Sequence, residues 1–460
     1  MTTTTDRPRV ATGSNAVVLG LGVTGLSCAR HLAASGHSVC VMDTRAEPPA
    51  LETLRTELPE VEVVTGGFDE ARALTADLLA VSPGIAADEP LLVRARSAGV
   101  DVAGDIELFA RAATAPTAGI TGTNGKSTVT SLLGAMLRAA GLDVAVGGNL
   151  GEPALDLLSA APRDGYVLEL SSFQLDLVTR LPLACAAILN LSVDHLDRYG
   201  SMGAYAASKR RIYAHAGTAV YDADDGRIEP DADFAGRRVV LRSTTEPGPG
   251  EWGLLGRGAD ALLQGPDGPL MAAAELPVAG RHNAFNVLAA FAMADALGVA
   301  PDAARDAVAA YRPLPHRCVP VAEIDGVRWV DDSKATNVGA CRAALEGLDD
   351  GARRLVLIAG GLGKGADFGE LRDAVASRVH ALVLIGRDAE LIAHALGDLC
   401  HHEFAEDMAA AVRTARALAR PGDTVLLAPA CASFDQFTSY GARGDAFVAA
   451  VRDLAGEELR

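Results

Sequence analysis

The chain is predicted to be an α/β protein of three domains. These are a Rossmann-like N-terminal domain, a central P-loop-type ATPase domain with a mainly parallel sheet, and a C-terminal Rossmann-like α/β domain. Three observations carry that expectation. Short β-rich apolar runs alternate with Ala/Leu-rich stretches along nearly all of the 460 residues, the pattern of strands and helices layered into parallel sheets. Two glycine turns, each placed between a strand-like and a helix-like run, open the first and second units. The stretch PLPHR (313–317) reads as a hinge into a third unit.

The first unit is set at residues 1–114. It runs NAVVLG, a helix over Leu26–Ala34, then SVCVMD, VEVVTGG, DLLAVSPG and VDVAGDIEL, and ends near ARAATAPTA. The second, 115–312, begins TAGITGTNGKST and continues through DVAVGGN, YVLELSS, AAILNLS and TAVYD to a helix around Asn283–Leu297. Between about 243 and 275 it turns Gly/Pro-rich, read as loops or a small excursion of β structure. The third, 313–460, holds four strand-like runs: VRWVDDSKATN, RRLVLIAGG, ALVLIGRD and TVLLAPACA.

Composition sets limits on function. With 49% hydrophobic and 22% charged residues the chain fills sizeable cores. A net charge of −18, from 59 acidic against 41 basic residues, disfavours a nucleic-acid partner but leaves room for small phosphate ligands held by local donors. Seven cysteines without a C-x-x-C pair point to reduced thiols rather than a zinc site. The polar start MTTTTDRPRVATG and the lack of a long apolar stretch predict a soluble cytoplasmic protein with no membrane partner. A monomer is expected.

The turn GLGVTG places Gly20, Gly22 and Gly25 at G-x-G-x-x-G spacing, with Asp43 at the end of the second strand where a ribose-binding acid belongs. NAD, FAD or another nucleotide would satisfy it, and so would a turn that binds nothing. The turn TGTNGKST (121–128) says more. Gly122 and Gly125 free backbone N–H groups for phosphate oxygens, Lys126 reaches the terminal phosphates, and Ser127 or Thr128 offers a hydroxyl to Mg²⁺. Five residues rather than four separate Gly119 from Gly125, so the general P-loop pattern is missed by one. ATP becomes the better ligand for the second unit. Glu169 at a strand end is a candidate metal-binding acid, His195 a candidate ligand, and both residue types have plainer readings as a solvated acid and a structural histidine. Lys209, beside Arg210 and Arg211, reads on its residues alone as a solvated helix face.

The motifs GLGVTGLS, MDTR, VSPG, TGTNGKST, GGNLG, LELSSFQL, NLSVDHLDRY, SKRRIY, GRHNAFN, LPHR, DDSKATN, GGLGKGADF and PACASFDQF together resemble the Mur ligases, ATP-dependent amino-acid ligases of peptidoglycan synthesis. They fall in the family's order from residue 17 to about 440, and TGTNGK[ST] is the family's own form of the loop. DDSKATN and PACASFDQF resemble the D-glutamate-adding branch, and the DNPR motif of the diaminopimelate- or lysine-adding branch is absent. The resemblance implies ATP, D-glutamate and UDP-N-acetylmuramoyl-L-alanine as ligands, with UDP rather than NAD on the first glycine turn. It implies UDP-substrate contacts from Gly22, Val23, Thr24, Gly25, Asp43, Thr44, Arg45, Ser82, Pro83, Gly84 and Asn149. ATP contacts would come from Gly122, Thr123, Asn124, Gly125, Lys126, Ser127, Thr128, Asn283, Asn286, Arg317 and Asp332. D-glutamate would meet Lys334, Thr336, Lys364, Ser433 and the backbone near Tyr440, a position where the family often has Phe. Ser127 and Glu169 would bind one Mg²⁺, and His195 a second together with Lys209 as a CO₂-derived carbamate. Lys126, Glu169, His195 and Lys209 are thus the expected catalytic group. Another Mur branch, a folate polyglutamate ligase, an NAD(P)-dependent oxidoreductase and a catalytically silent scaffold are the alternatives.

Overall fold

The computed structural model describes residues 13–158, 161–256, 261–278, 280–348 and 355–458. The polar start at 1–12, and 257–260 within the Gly/Pro-rich stretch, lie outside the described residues. Three sheets follow one another along the chain.

The first comprises β1 (Asn15–Leu19), β2 (Ser38–Asp43), β3 (Glu62–Thr65), β4 (Leu78–Val81) and β5 (Asp101–Gly104) in the order β3-β2-β1-β4-β5. Every pairing is parallel. Strands covered on both faces by crossover helices must be apolar throughout, and Val17, Val18 and Leu19 are all buried. Strand order reverses between β1 and β4, so a crevice opens at their carboxyl ends. The glycine turn lies there. Its helix, Val23–Ala34, starts three residues before the predicted Leu26, because Gly22 already caps it. A Cβ at Gly25 would stand 1.8 Å from the Gly20 carbonyl oxygen, so only glycine lets helix and turn pack. Gly25→Ala is therefore expected to cost about 3 kcal/mol or more of stability, read as an earlier unfolding transition of the purified protein.

The second sheet has nine strands: β6 (Thr117–Thr121), β7 (Val144–Gly148), β8 (Gly165–Glu169), β9 (Cys185–Ile188), β10 (Thr218–Asp222), β11 (Arg237–Arg242), β12 (Trp252–Leu255), β13 (Leu262–Gly265) and β14 (Gly268–Ala272). Their order is β14-β13-β12-β11-β10-β9-β6-β8-β7. The Gly/Pro-rich stretch thus resolves into β12–β14, joined antiparallel at the sheet's edge. β6 sits between β8 and β9, and the helix Lys126–Ala139 that leaves it shares a core with helix Arg281–Ala296.

The third sheet is β15 (Val319–Ile324), β16 (Val327–Asp331), β17 (Leu355–Gly360), β18 (Val379–Ile385), β19 (His401–Phe404) and β20 (Thr424–Leu427), ordered β15-β16-β20-β17-β18-β19. It has two strands more than the four runs read from sequence. Both extra strands are edges, where burial does not demand an apolar run: β15 carries Pro320 and β19 reads HHEF.

Polar contacts fasten the units. Ser27 Oγ donates to Asp156 Oδ1 (2.7 Å), Gln174 Nε2 to Asp105 Oδ2 (2.8 Å), and the N–H groups of Thr179 and Arg180 to Glu107 Oε2 (2.9 Å each). The third unit reaches the second through Arg317 Nη2 to Ser127 Oγ (2.6 Å) and a reciprocal pair between Asn124 and Asn337.

Candidate active site

The carboxyl ends of β6, β8 and β9 face the third unit, and most of the predicted site residues gather there. The phosphate-type loop leaves β6 with Gly122 at φ 146° and Gly125 at φ 82°, conformations that L side chains rarely adopt. Asn190 holds the loop at Asn124, accepting from its N–H (2.9 Å) and donating to its carbonyl (3.0 Å). Asn286 packs on Gly125, where a Cβ would meet its amide oxygen at 2.3 Å. Lys126 Nζ donates to the carbonyls of Gly122 (3.0 Å) and Thr123 (2.8 Å). Burial lowers its ammonium from the usual lysine value, against the pull of Glu169 and Asp194.

Glu169 closes β8 beside Ile120 and Gly148. At 2% exposure it is not a solvated strand-end acid. Burial opposes its charge, but Lys126, with Ser127, Asn149 and Arg317, holds it below the ordinary carboxylate value. Asn149 Nδ2 donates to its Oε1 (2.7 Å). Its other oxygen, Oε2, is buried without a hydrogen-bond partner.

Lys209 departs most from its residue-level reading. It is 2% exposed, and its Nζ donates to Gly122 O (2.9 Å) and Thr121 Oγ1 (3.3 Å) while lying 4.7 Å from the Tyr205 ring centroid. Among the described residues no carboxylate comes within ion-pair distance of it. Burial, and then Lys126, pull its ammonium well below the usual lysine value. His195 also packs near Tyr205, with ring centroids 6.2 Å apart, at a left-handed φ of 55°. Burial lowers its imidazole, Asp194 opposing and Lys364, Lys209 and Lys126 assisting.

Across the cleft, Lys364 Nζ lies 3.5 Å from Asp194 Oδ1, and both line a small pocket with His195 and Thr336. Lys334 Nζ sits 3.8 Å over the Tyr440 ring, and burial brings its ammonium down to about 7. The Tyr440 backbone carbonyl accepts from Ser333 Oγ (2.8 Å), so its ring and its carbonyl are engaged within the protein. Ser433 is buried on the adjoining loop. Asp332 beside Arg317 is raised by burial to about 7.

At the first sheet, the predicted ribose acid is held by hydrogen bonds within the protein. Asp43 Oδ2 accepts from Leu21 N–H (2.7 Å), and its two oxygens take Arg45 Nε (2.8 Å) and Nη2 (2.6 Å). The Arg45 guanidinium holds the Asp43 carboxyl at about 2. Asp43 therefore organises the turn and aims Arg45, leaving Thr44 and Arg45 exposed. Ser82 Oγ donates to Gly20 O (3.0 Å), tying the end of β4 to that of β1.

A larger cavity of about 360 Å³ lies between Phe109–Thr117 and Leu181–Ala184. It sits at the amino ends of β6 and β9, remote from the side of the sheet where ligands of such folds bind.

Several residues escaped the sequence reading. Asn190 and Asn337 brace the loop. Asp194 faces Lys364. Arg443, buried, joins Ser333 O (2.8 Å) to Cys431 O (3.0 Å). Asn190, Asp194 and Asn337 stood within motifs already marked as site-like by their position after a strand, and Arg443 did not.

No group of three or more His, Cys, Asp or Glu side chains suited to a metal occurs among the described residues. A cation here would depend on phosphate oxygens as well as Glu169 Oε2 and Ser127 Oγ. That donor set fits Mg²⁺, which takes few carboxylates alongside substrate phosphates.

Comparison with known proteins covers the whole arrangement. Residues 14–104 match the family described as Mur ligase MurD-like, N-terminal domain, residues 120–294 the Mur ligase middle domain, and residues 316–431 the Mur ligase glutamate ligase domain. The chain is 48% identical over 449 residues to the UDP-N-acetylmuramoylalanine--D-glutamate ligase of Nitrosococcus oceani, spanning 97% of this chain and 98% of that one. It is 46% identical over 439 residues to the enzyme of the same name from Alcanivorax borkumensis, at 95% and 98% coverage. Among solved structures, UDP-N-acetylmuramate-alanine ligase MurC of Thermotoga maritima shares the fold, with a TM-score of 0.62, 19% identity, and 96% and 100% coverage.

Proposed function

This chain belongs to the Mur ligase family, and on that premise we propose that it joins D-glutamate to UDP-N-acetylmuramoyl-L-alanine with hydrolysis of ATP, in the cytoplasm. The observation that carries the reading is near-full-length identity of 46–48% to ligases of that name, on a chain that keeps Lys126, Glu169, His195 and Lys209 together at one end of the central sheet. An oxidoreductase reading gives way. The glycine turn after β1 serves a UDP pyrophosphate at the amino end of helix Val23–Ala34, with Arg45 and the Ser82–Gly84 loop toward the uridine.

An amide does not form from a carboxylate and an ammonium in water without activation. The substrate's alanyl carboxylate takes the γ-phosphoryl group of ATP, giving an acyl phosphate. The amine of D-glutamate then attacks the carbonyl, and the tetrahedral adduct expels phosphate. In phosphoryl transfer, positioning and charge neutralisation do most of the work. Lys126 and the amides of residues 122–128 hold the β- and γ-phosphates, Arg317 and Lys334 approach from the third unit, and Asn149 contacts the carboxyl under attack. Asn283, Asn286 and Asp332 hold the adenosine side. Lys364, Thr336 and Ser433 meet the carboxylates of D-glutamate.

Mg²⁺, when bound, supplies Lewis-acid neutralisation of the phosphate and carboxylate oxygens. Ser127 and Glu169 would hold one ion. His195 would hold a second together with an anionic oxygen, which Lys209 would supply as a carbamate. The neutral amine attacks CO₂, a C–N bond forms, and one proton is released. Burial without an anionic partner within ion-pair distance supports this reading, because it favours the neutral amine that the reaction requires.

Phosphate release from ATP with UDP-N-acetylmuramoyl-L-alanine present is expected to require D-glutamate, and to stay at background with L-glutamate or no amino acid. Release independent of the amino acid would reject the reading.

A further inference from the structure

We propose that Arg198 is a positioning residue that couples occupancy of the UDP loop on the first sheet to the His195 turn on the second. It rests on the assignment of UDP to that loop. Arg198 lies in the short helix Leu196–Tyr199, directly after His195. Its Nη1 donates to Pro83 O (3.0 Å) and its Nη2 to Ile85 O (3.1 Å). The guanidinium carbon stands 3.9 Å from the Phe173 ring centroid. The same ring makes an edge contact with His195, centroids 4.7 Å apart.

One side chain of the central domain thus holds both carbonyls flanking Gly84 and leans on an aromatic ring that packs against the His195 imidazole. The His195 backbone is part of the same turn, since its carbonyl accepts from the N–H groups of Arg198 (3.0 Å) and Tyr199 (3.1 Å). A rigid planar fork suits this task, for it spans two acceptors at fixed separation and stacks on an aromatic face. A lysine has one ammonium and no plane, so it would satisfy one carbonyl and lose the stack.

The consequence is directional. A ligand that orders residues 82–85 also orders the turn bearing His195, and a loosened turn weakens the ligand. Such reciprocity is required of any coupling between two binding events. Among the described residues, the other hydrogen bonds between these domains, at Asp156, Asp105, Glu107 and from Gly104 N–H to Leu177 O, do not touch this loop or this turn, so Arg198 carries the coupling.

The test needs no turnover. Hydrogen exchange of the full chain is followed with and without UDP, in the wild type and in Arg198→Lys. In the wild type, UDP is expected to slow exchange both at residues 82–86 and at the amides of Arg198, Tyr199 and Gly200. In Arg198→Lys the protection should remain at 82–86 and vanish at 198–200. Undiminished protection at 198–200 in the variant would overturn the coupling. A wild type that binds UDP yet shows no protection at 198–200 would overturn it too. A wild type that does not bind UDP would instead reject the functional reading itself.

Steady-state kinetics give a second readout. Arg198→Lys should raise KM for the UDP substrate about tenfold while KM for ATP stays within about twofold. Equal rises for both substrates would mean general loosening of the fold, and would count against the proposal. A matching melting temperature for the two proteins checks that the variant is folded.

Discussion

Replacing Lys209 by alanine is expected to lower kcat by roughly three orders of magnitude, an effect of the size seen when charge stabilisation is removed from a reacting centre. Millimolar formate, acetate or propionate should restore part of the rate. The expectation follows from where the side chain lies. Lys209 reaches inward from helix Met202–Arg210 to the junction of β6 and the phosphate loop, where among the described residues its amine hydrogen-bonds to the neutral oxygens of Gly122 and Thr121 and to no anion. A buried ammonium in that setting is costly, and Lys126 nearby makes it costlier. As a carbamate the same side chain becomes an anion, and Lys126, which now disfavours the group, would favour it, while Asp194, Glu169 and Asp176, which now support the ammonium, would oppose it and leave a bound cation to offset them. Alanine leaves a space lined by the Tyr205 ring, into which a short carboxylate fits as a stand-in for the carbamate oxygens. Lys209→Arg serves as the control: it keeps a cation and cannot add CO₂, so it too should be inactive. Rates like the wild type for the alanine variant, or rescue by neutral short-chain alcohols as good as by acids, would rule out the carbamate.

The same residue shows where the sequence stops being informative. Lys209, Arg210 and Arg211 are consecutive, and as a string they look like one charged surface. On a helix, successive residues point about 100° apart. Arg210 accordingly turns toward Asp231 at the surface (3.5 Å), Arg211 caps the carbonyls of Leu175 and Val178, and Lys209 is buried. Nothing local to the string decides which of the three goes in; the packing of the helix against the strand ends does.

By contrast, the two glycine turns were legible because their function is local. Chain reversal at Gly125 and close approach at Gly25 are demands a glycine alone meets, and both leave a mark at fixed spacing. The parallel core strands were legible for a related reason, since burial on two faces demands an apolar run. β15 and β19, being edges, carry no such mark. Asp194, Arg198, Asn190 and Arg443 were missed because each acts across the fold. Arg198 meets carbonyls 113 and 115 residues away in sequence, and Arg443 meets Ser333 at 110, separations at which spacing conveys nothing.

Glu169→Gln tests stability and activity together at the carboxylate proposed to hold Mg²⁺. The exchange preserves shape and removes one buried negative charge. In the folded protein that charge is retained against burial by Lys126 alongside, with Asn149 on one oxygen only. Because the Glu169 carboxyl is held below its ordinary value, the folded state favours its charge, and removing that charge leaves buried Lys126 less compensated, so stability should fall by about 1–3 kcal/mol. The melting temperature should therefore drop modestly with the fold retained. Activity should fall on the order of a thousandfold, since the buried Oε2, left without a hydrogen-bond partner, is the oxygen free to take a cation. The Mg²⁺ concentration for half-maximal rate should rise in parallel, because the loop is left with a hydroxyl and no carboxylate. Asn149→Ala removes a single hydrogen bond to the same group and keeps the charge, so its Mg²⁺ requirement should shift far less. Measuring rate against Mg²⁺ and thermal unfolding for both variants decides the matter. A Glu169→Gln protein with ordinary Mg²⁺ dependence would remove Glu169 from the metal site, and one that loses the fold as well as the rate would make it a structural residue instead.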